Sequence, residues 1–304
     1  MNLHNNIQEF YDTILVISNK LNISPAIVEK DYYVSLFLKT LSKKVESLIF
    51  KGGTSLSKCY KIINRFSEDI DITLDEQYRT QSNKRNLKQE IINVCEELGL
   101  QLINSEEIRS RRDYNRYEIK YPIHFSGTGI KQYILIETVF MTKSYPVEVK
   151  SVTSMIYEFW KDINDEGVIK SYDMEPFNIK VQTLERTFID KVFAICDYSV
   201  SNNISGHSRH IYDIYKLLKV ITINNKLKEL IESVREERKN SALCYTAQDQ
   251  YNINLLLEDI INKKIYYKDY QEVTKKVLFE DVTYEEAISS IRKIIDSNIF
   301  INKL

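Results

Sequence analysis

Lys51-Gly52-Gly53-Thr54-Ser55-Leu56-Ser57-Lys58, followed by Arg65-Phe66-Ser67-Glu68-Asp69-Ile70-Asp71-Ile72, is the stretch that decides the fold. The chain holds only seven glycines, and two of them stand side by side here. A residue used so sparingly marks a backbone that turns sharply or comes close to a ligand. Upstream, Leu48-Ile49-Phe50 reads as a short buried strand; downstream, Leu56, Cys59, Tyr60 and Ile63 recur at helical spacing. Strand, Gly-Gly turn and helix start form a corner whose unpaired backbone N–H groups suit an anion. Asp69-Ile70-Asp71 alternates as a strand does, so both carboxylates share one face and Ile70 and Ile72 take the other. Like charges so close repel unless a cation stands between them. A phosphate cradle facing paired carboxylates is the arrangement that holds a magnesium–nucleotide complex. Taken singly, Gly-Gly could be an ordinary tight turn and Asp-X-Asp a surface pair; their order carries the reading. No G-x-x-x-x-G-K-[ST] is present, so the corner is not a Walker loop.

Working outward, residues 7 to 43 read as two helices, with Asn22 and Ser24 as capping candidates and Pro25 in the first turn. Glu29-Lys30-Asp31 in the second helix is a charged cluster of the kind expected to face water. Lys84 to Leu98 is a helix with Leu87, Ile91, Val94 and Leu98 on one face, ended by Gly99. Arg109, Arg111, Arg112 and Arg116 interleave with Tyr114, Tyr117 and Tyr121. Arginines hold phosphates and tyrosines stack on bases, so this is either an RNA-facing patch or a solvated hairpin leading into a strand over 117–125. A second strand spans Lys131 to Met141. Glu137 interrupts its apolar run and needs a cation or hydrogen bonds if buried, and nothing if it faces water.

The irregular segment from Met155 to Ile179 is expected to connect two lobes. Val181 to Val200 is a helix on which Leu184, Phe188, Lys191 and Ile195 share a stripe, leaving Lys191 on the apolar side. Ser208 is a capping candidate for a helix over Arg209 to Ile221, where Arg209 and Asp213 stand four apart and could pair on the surface. Beyond Lys226 the pattern is helical, with Tyr251, Leu255, Leu256 and Ile260 expected in the core. At 304 residues the chain can form two lobes, expected as 1–175 and 176–304. A formal net charge of -1 leaves nucleic-acid binding to local patches. Cys59, Cys95, Cys196 and Cys244 lack zinc or disulfide spacing, which fits a reducing cytosol. With no signal-like or membrane-length apolar run, a cytoplasmic protein without membrane contact is expected.

The order strand, Gly-Gly, helix, strand, Asp-X-Asp recurs as a unit in the nucleotidyltransferase superfamily. Gly52 to Leu56 followed by Arg65 to Asp71 resembles the AbiEii/AbiGii family of nucleotidyltransferase-like toxins, relatives of the MenT toxins, which act in type IV toxin–antitoxin and abortive-infection systems. Glu29-Lys30-Asp31-Tyr32-Tyr33-Val34 is similar to the family's N-terminal helix. Thr187-Phe188-Ile189-Asp190-Lys191 and Arg209-His210-Ile211-Tyr212-Asp213 are similar to its C-terminal motifs, so the likeness runs from about residue 20 to 220. It implies an α+β fold, a small mixed sheet with flanking helices and a C-terminal helical lobe. It implies Mg²⁺ (or Mn²⁺) on Asp69 and Asp71, with Glu137 as candidate third carboxylate, and phosphates at Gly52, Gly53, Thr54 and Ser55. Ser67 and Lys191 would then meet the triphosphate of an NTP, and Asp213 would belong to the active site. The implied acceptor is RNA, tRNA first, the implied effect growth arrest, and the implied partner a cognate antitoxin. Two alternatives stay open: a nucleotide-binding protein that acts through partner contacts, and a small-molecule nucleotidyltransferase of the antibiotic-modifying kind.

Overall fold

The computed structural model describes residues 1–67, 69–127 and 130–301; Glu68 of the quoted motif and Asn302–Leu304 lie outside the described residues. The chain divides into two units, and both are discontinuous in sequence. The first comprises Met1–Tyr60, Ser67–Phe140 and Val147–Val181; the second comprises Lys61–Phe66, Met141–Pro146 and Gln182–Leu304.

The first unit opens with two helices, α1 (Ile7–Leu21) and α2 (Pro25–Lys44), the latter starting with proline at its first turn. Then come β1 (Leu48–Lys51), α3 (Gly52–Lys58), β2 (Asp69–Leu74), α4 (Gln81–Glu97), β3 (Gln101–Leu102), β4 (Tyr114–Lys120) and β5 (Ile134–Val139). After β6 (Val147–Val152), α5 (Met155–Asp162) and α6 (Glu166–Ser171), the unit closes on β7 (Phe177–Gln182). The seven strands form one mixed sheet in the order β3-β4-β5-β2-β1-β7-β6. β2 runs antiparallel to β1 and parallel to β5, while β4 is antiparallel to β5. Period-two alternation gives this sheet one apolar face: Leu48, Phe50, Ile70, Ile72, Ile134 and Ile136 join a single core with Phe37 and Leu41 of α2 and Ile91 of α4. The odd-phase residues of β2 therefore stand on the other face.

Two expectations are corrected here. The segment 155–179 is not a bare connection: α5 and α6 occupy it, capped by Ser154 accepting from Tyr157 N–H and Asp165 accepting from Val168 N–H. Their brevity and three-residue caps hid them from periodicity. Glu29-Lys30-Asp31 does not face water either, because Glu29 and Lys30 are fully buried. Glu29 accepts from the backbone N–H groups of His124 and Phe125 and from the His124 ring. Lys30 donates to the Lys131 carbonyl, and Asp31 accepts from Lys58 of α3 and from the Met155 N–H. One helical turn thus ties together the loop after β4, the approach to β5 and the end of α3.

The second unit is helical: α7 (Leu184–Val200), α8 (Arg209–Leu217), α9 (Asn225–Arg238), α10 (Ile253–Asn262) and a final helix Tyr284–Ser297. Thr183 caps α7 by accepting from Arg186 N–H. Ile253, Leu257 and Ile260 are the buried stripe of α10; of the expected core residues Ile260 is buried, while Leu255 is 60% exposed. Lys61–Phe66 belongs to this unit through backbone bonds from Phe66 N–H to the Val277 carbonyl and from Phe279 N–H to the Asn64 carbonyl.

Candidate active site

Gly52 is the pivot of the first unit's site. Its φ of +75° is in the left-handed region, and a Cβ built on it would overlap the Asp71 carboxylate. The bare backbone is what lets the carboxylate approach the start of α3. The corner is held from behind: Thr54 donates its hydroxyl to the Asp69 carbonyl and lies 2.9 Å from the Ser67 hydroxyl. Ser55, fully buried, donates to the Gly52 carbonyl at 2.8 Å. The side chains of Thr54 and Ser55 therefore brace the turn. Of the expected phosphate-site residues, Gly52, Thr54, Ser55 and Ser67 lie together, and Gly53 follows Gly52 in the first turn of α3.

Asp69 and Asp71 stand on one face of β2, with Ile70 and Ile72 buried behind them. Glu137 is the direct β5 partner of Asp71, which brings all three expected carboxylates onto one face of neighbouring strands. Glu137 accepts a hydrogen bond from the Tyr114 hydroxyl, and burial followed by that bond pushes the Tyr114 phenol well above its ordinary range. Lys131 brings its ammonium within 3.5 Å of Asp69 Oδ1, a cation that sequence spacing did not single out. The carboxylates offer hard oxygen donors, which suits Mg²⁺ or Mn²⁺. Among the described residues no group of three or more His, Cys, Asp or Glu is arranged to hold a metal ion. A nucleotide's own oxygens would have to complete the coordination of an ion on Asp69 and Asp71.

Lys191 and Asp213 lie in the second unit, and they meet there. Lys191 donates to Asp213 Oδ2 at 2.6 Å, and Arg65 grips the same carboxylate with Nε at 2.7 Å and Nη2 at 2.8 Å. The surface pairing of Asp213 with Arg209 is overturned, because Asp213 is fully buried on the inner side of α8. Burial alone would raise the Asp213 carboxyl, but the Arg65 and Lys191 charges override it and hold it far below the usual carboxylate range. Burial pulls the Lys191 ammonium down, the Asp213 charge opposes this, and Arg65 adds to it. The Lys191 ammonium is also 3.4 Å from His210 Nδ1. Sequence reasoning missed Arg65 altogether; its place inside the quoted motif was the available signal.

A sheet that presents a glycine corner beside paired strand carboxylates defines a nucleotidyltransferase-like class of protein. Residues 36–293 match the family described as nucleotidyl transferase AbiEii toxin, type IV toxin–antitoxin system, and the chain belongs to that family. Its members are nucleotidyltransferases, a class that generally uses an NTP and a divalent metal, and a toxin of such a system implies an antitoxin. Among solved structures the chain is similar to MenT4, the nucleotidyltransferase toxin Rv2826c from Mycobacterium tuberculosis H37Rv. The TM-score is 0.53 at 14% identity, over 95% of this chain and 90% of that one. No curated protein matches the chain. No helix among the described residues is long and apolar enough to cross a membrane.

Proposed function

We propose that this chain transfers a nucleoside monophosphate from an NTP to an RNA acceptor, with tRNA the first to test, and that this transfer arrests growth or aborts phage infection. The observation that carries the reading is the Gly52 backbone set against the Asp71 carboxylate, with Glu137 paired opposite. In the reaction, an acceptor hydroxyl oxygen bonds to the α-phosphorus while the bond from that phosphorus to the bridging β-oxygen breaks. Pyrophosphate leaves with the electron pair and the hydroxyl proton passes to solvent. Asp69 and Asp71 are the residues that would hold Mg²⁺ or Mn²⁺, with Glu137, paired beside Asp71, the candidate third carboxylate. The chemistry supplied with the ion bound is activation of the hydroxyl and neutralisation of charge on the leaving group. The backbone at Gly52 and Gly53, braced by Thr54 and Ser55, orients phosphates, and Ser67 lies against the same brace. Lys191 is assigned to the triphosphate. It donates to Asp213, and its charge would offset the charge that develops on the leaving pyrophosphate. The setting is the cytoplasm, with a cognate antitoxin as partner.

The test is incubation with each labelled NTP in turn, Mg²⁺ and deproteinised RNA, resolved on a gel. Label on RNA, lost in Asp69→Asn and Asp71→Asn variants that melt at or above the parent's temperature without Mg²⁺, is the expected result. Label on a small metabolite would replace the acceptor, and full transfer by Asp69→Asn would end the nucleotidyltransferase reading of this site.

A further inference from the structure

The row of residues that contains the carboxylates continues across the sheet. Lys51 of β1 pairs with Asp71 of β2, Asp71 with Glu137 of β5, and Glu137 with Arg116 of β4. Directly opposed residues share a face, so this row reads cation, carboxylate, carboxylate, cation on the side away from the apolar core. The glycine corner is at its β1 end. At its β4 end Tyr114 reaches Glu137 with its hydroxyl, and Arg116 bonds to the Tyr133 hydroxyl at 2.9 Å and to Glu118 at 2.9 Å. Tyr114 is 41% exposed and the Arg116 side chain 43% exposed, so the Tyr114 ring and the guanidinium are presented and held at once. Arg109 and Arg112 differ. Arg109 is bonded to the carbonyls of Glu106 and Ile108, and Arg112 to that of Glu107, in the turn before β4.

We propose that Tyr114, Arg116 and Tyr133 form the platform that receives the unpaired end of a single-stranded RNA acceptor. A tyrosine face stacks on a base whatever its identity, and a guanidinium takes a phosphodiester. The position argues for the acceptor over the NTP. Phosphoryl transfer needs attacking and leaving oxygens roughly in line. The corner that takes the triphosphate and the β4 platform lie on opposite sides of the Asp71–Glu137 pair, which is where the two oxygens belong. Specificity of position then comes from Arg116 and Tyr114, with Tyr133 bracing the guanidinium. The inference rests on the transfer reading for its direction but not for its binding test.

The test is equilibrium binding of a fluorescein-labelled single-stranded RNA with a free 3′ hydroxyl to the full chain, read by anisotropy without NTP. Tyr114→Ala and Arg116→Ala are each expected to weaken binding roughly tenfold. Arg116→Ala is also expected to reduce the salt slope by about one. Tyr114→Phe, which keeps the ring and loses the bond to Glu137, is expected to bind as the parent does. In turnover the acceptor KM should rise in both alanine variants while the NTP KM holds. Unchanged RNA affinity in alanine variants that melt like the parent overturns the platform. So does a rise confined to the NTP KM, which would make it a reader of the donor base, and so does failure of the parent to bind the probe. The two readings fail separately: a parent that binds RNA through Tyr114 and Arg116 yet transfers nothing keeps the platform and ends the transfer reading.

Discussion

Replacing Asp213 with alanine removes a carboxylate shared by two buried cations, Arg65 at 4% and Lys191 at 6% exposure. Breaking a buried, hydrogen-bonded charge pair from one side costs about 3–5 kcal/mol. The two losses do not simply add, because the ammonium has an escape. Burial and Arg65 already pull Lys191 below its usual range, and Asp213 is what opposes them. Without Asp213 nothing opposes that pull on the lysine proton, and Arg65 keeps its bond to the Phe66 carbonyl at 2.9 Å. The expected cost therefore stays at about 3–5 kcal/mol, a fall in melting temperature on the order of 10 °C. Lys191→Met should behave differently. It leaves Asp213 with the two-pronged Arg65 contact and removes a desolvated ammonium, so its stability should lie within about 1 kcal/mol of the parent. If Lys191 serves the leaving pyrophosphate, this same variant loses turnover strongly and NTP affinity only mildly, and Lys191→Arg restores little of it. The assay is calorimetric melting with initial rates on the three variants. A parent-like melting temperature in Asp213→Ala would refute the buried-carboxylate argument, and parent-like turnover in Lys191→Met would remove this lysine from the site.

Three further outcomes follow from particular contacts. Gly52→Ala should abolish transfer and destabilise by about 1–3 kcal/mol, since it adds left-handed strain and a clash with Asp71; Gly99→Ala, with φ +66° and nothing nearby, should cost only the strain and leave turnover alone. Comparable rates in the two variants would contradict the close approach at Asp71. His207, stacked on Tyr198 at 3.6 Å, is lowered to about 4 by burial and then by the Arg209 charge, with Asp269 opposing. A group whose folded value lies below its unfolded 6.5 takes up a proton more readily when unfolded, so stability should fall as pH drops from about 6.5 towards 4. Solvent around the half-buried ring limits this to about 1–2 kcal/mol. His207→Phe should flatten the slope of melting temperature against pH over that window, and an unchanged slope would assign it elsewhere. Glu29→Ala leaves two backbone N–H groups and the His124 ring without their acceptor, at about 2–4 kcal/mol, whereas a solvated glutamate would cost almost nothing; urea unfolding distinguishes these.

What could be read from the sequence was whatever is written locally. The Gly-Gly corner needs only the residues on either side of it, the two aspartates share a face because strands alternate, and α4 carries its own apolar stripe and terminal glycine. What could not be read depends on partners far along the chain. Glu29-Lys30-Asp31 looks solvated because its partners are His124, Lys131 and Lys58, and nothing local says that these will arrive. Asp213 looks like a partner for Arg209 for the same reason: the four-residue rule presumes an exposed helix face, and this face of α8 is the buried one. Arg65 is the sharpest case. It stands two residues before Ser67 in one continuous motif, yet the chain passes from the second unit to the first between Phe66 and Ser67. Backbone pairing with Val277 to Phe279 fixes where its guanidinium goes. A motif read as one object therefore serves two, with Asp69 and Asp71 arming the sheet while Arg65 neutralises the carboxylate that holds Lys191. It follows that Arg65→Lys should test the second task alone. A point charge cannot reproduce the two-pronged contact, so melting should fall while the Asp69–Asp71 pair is untouched.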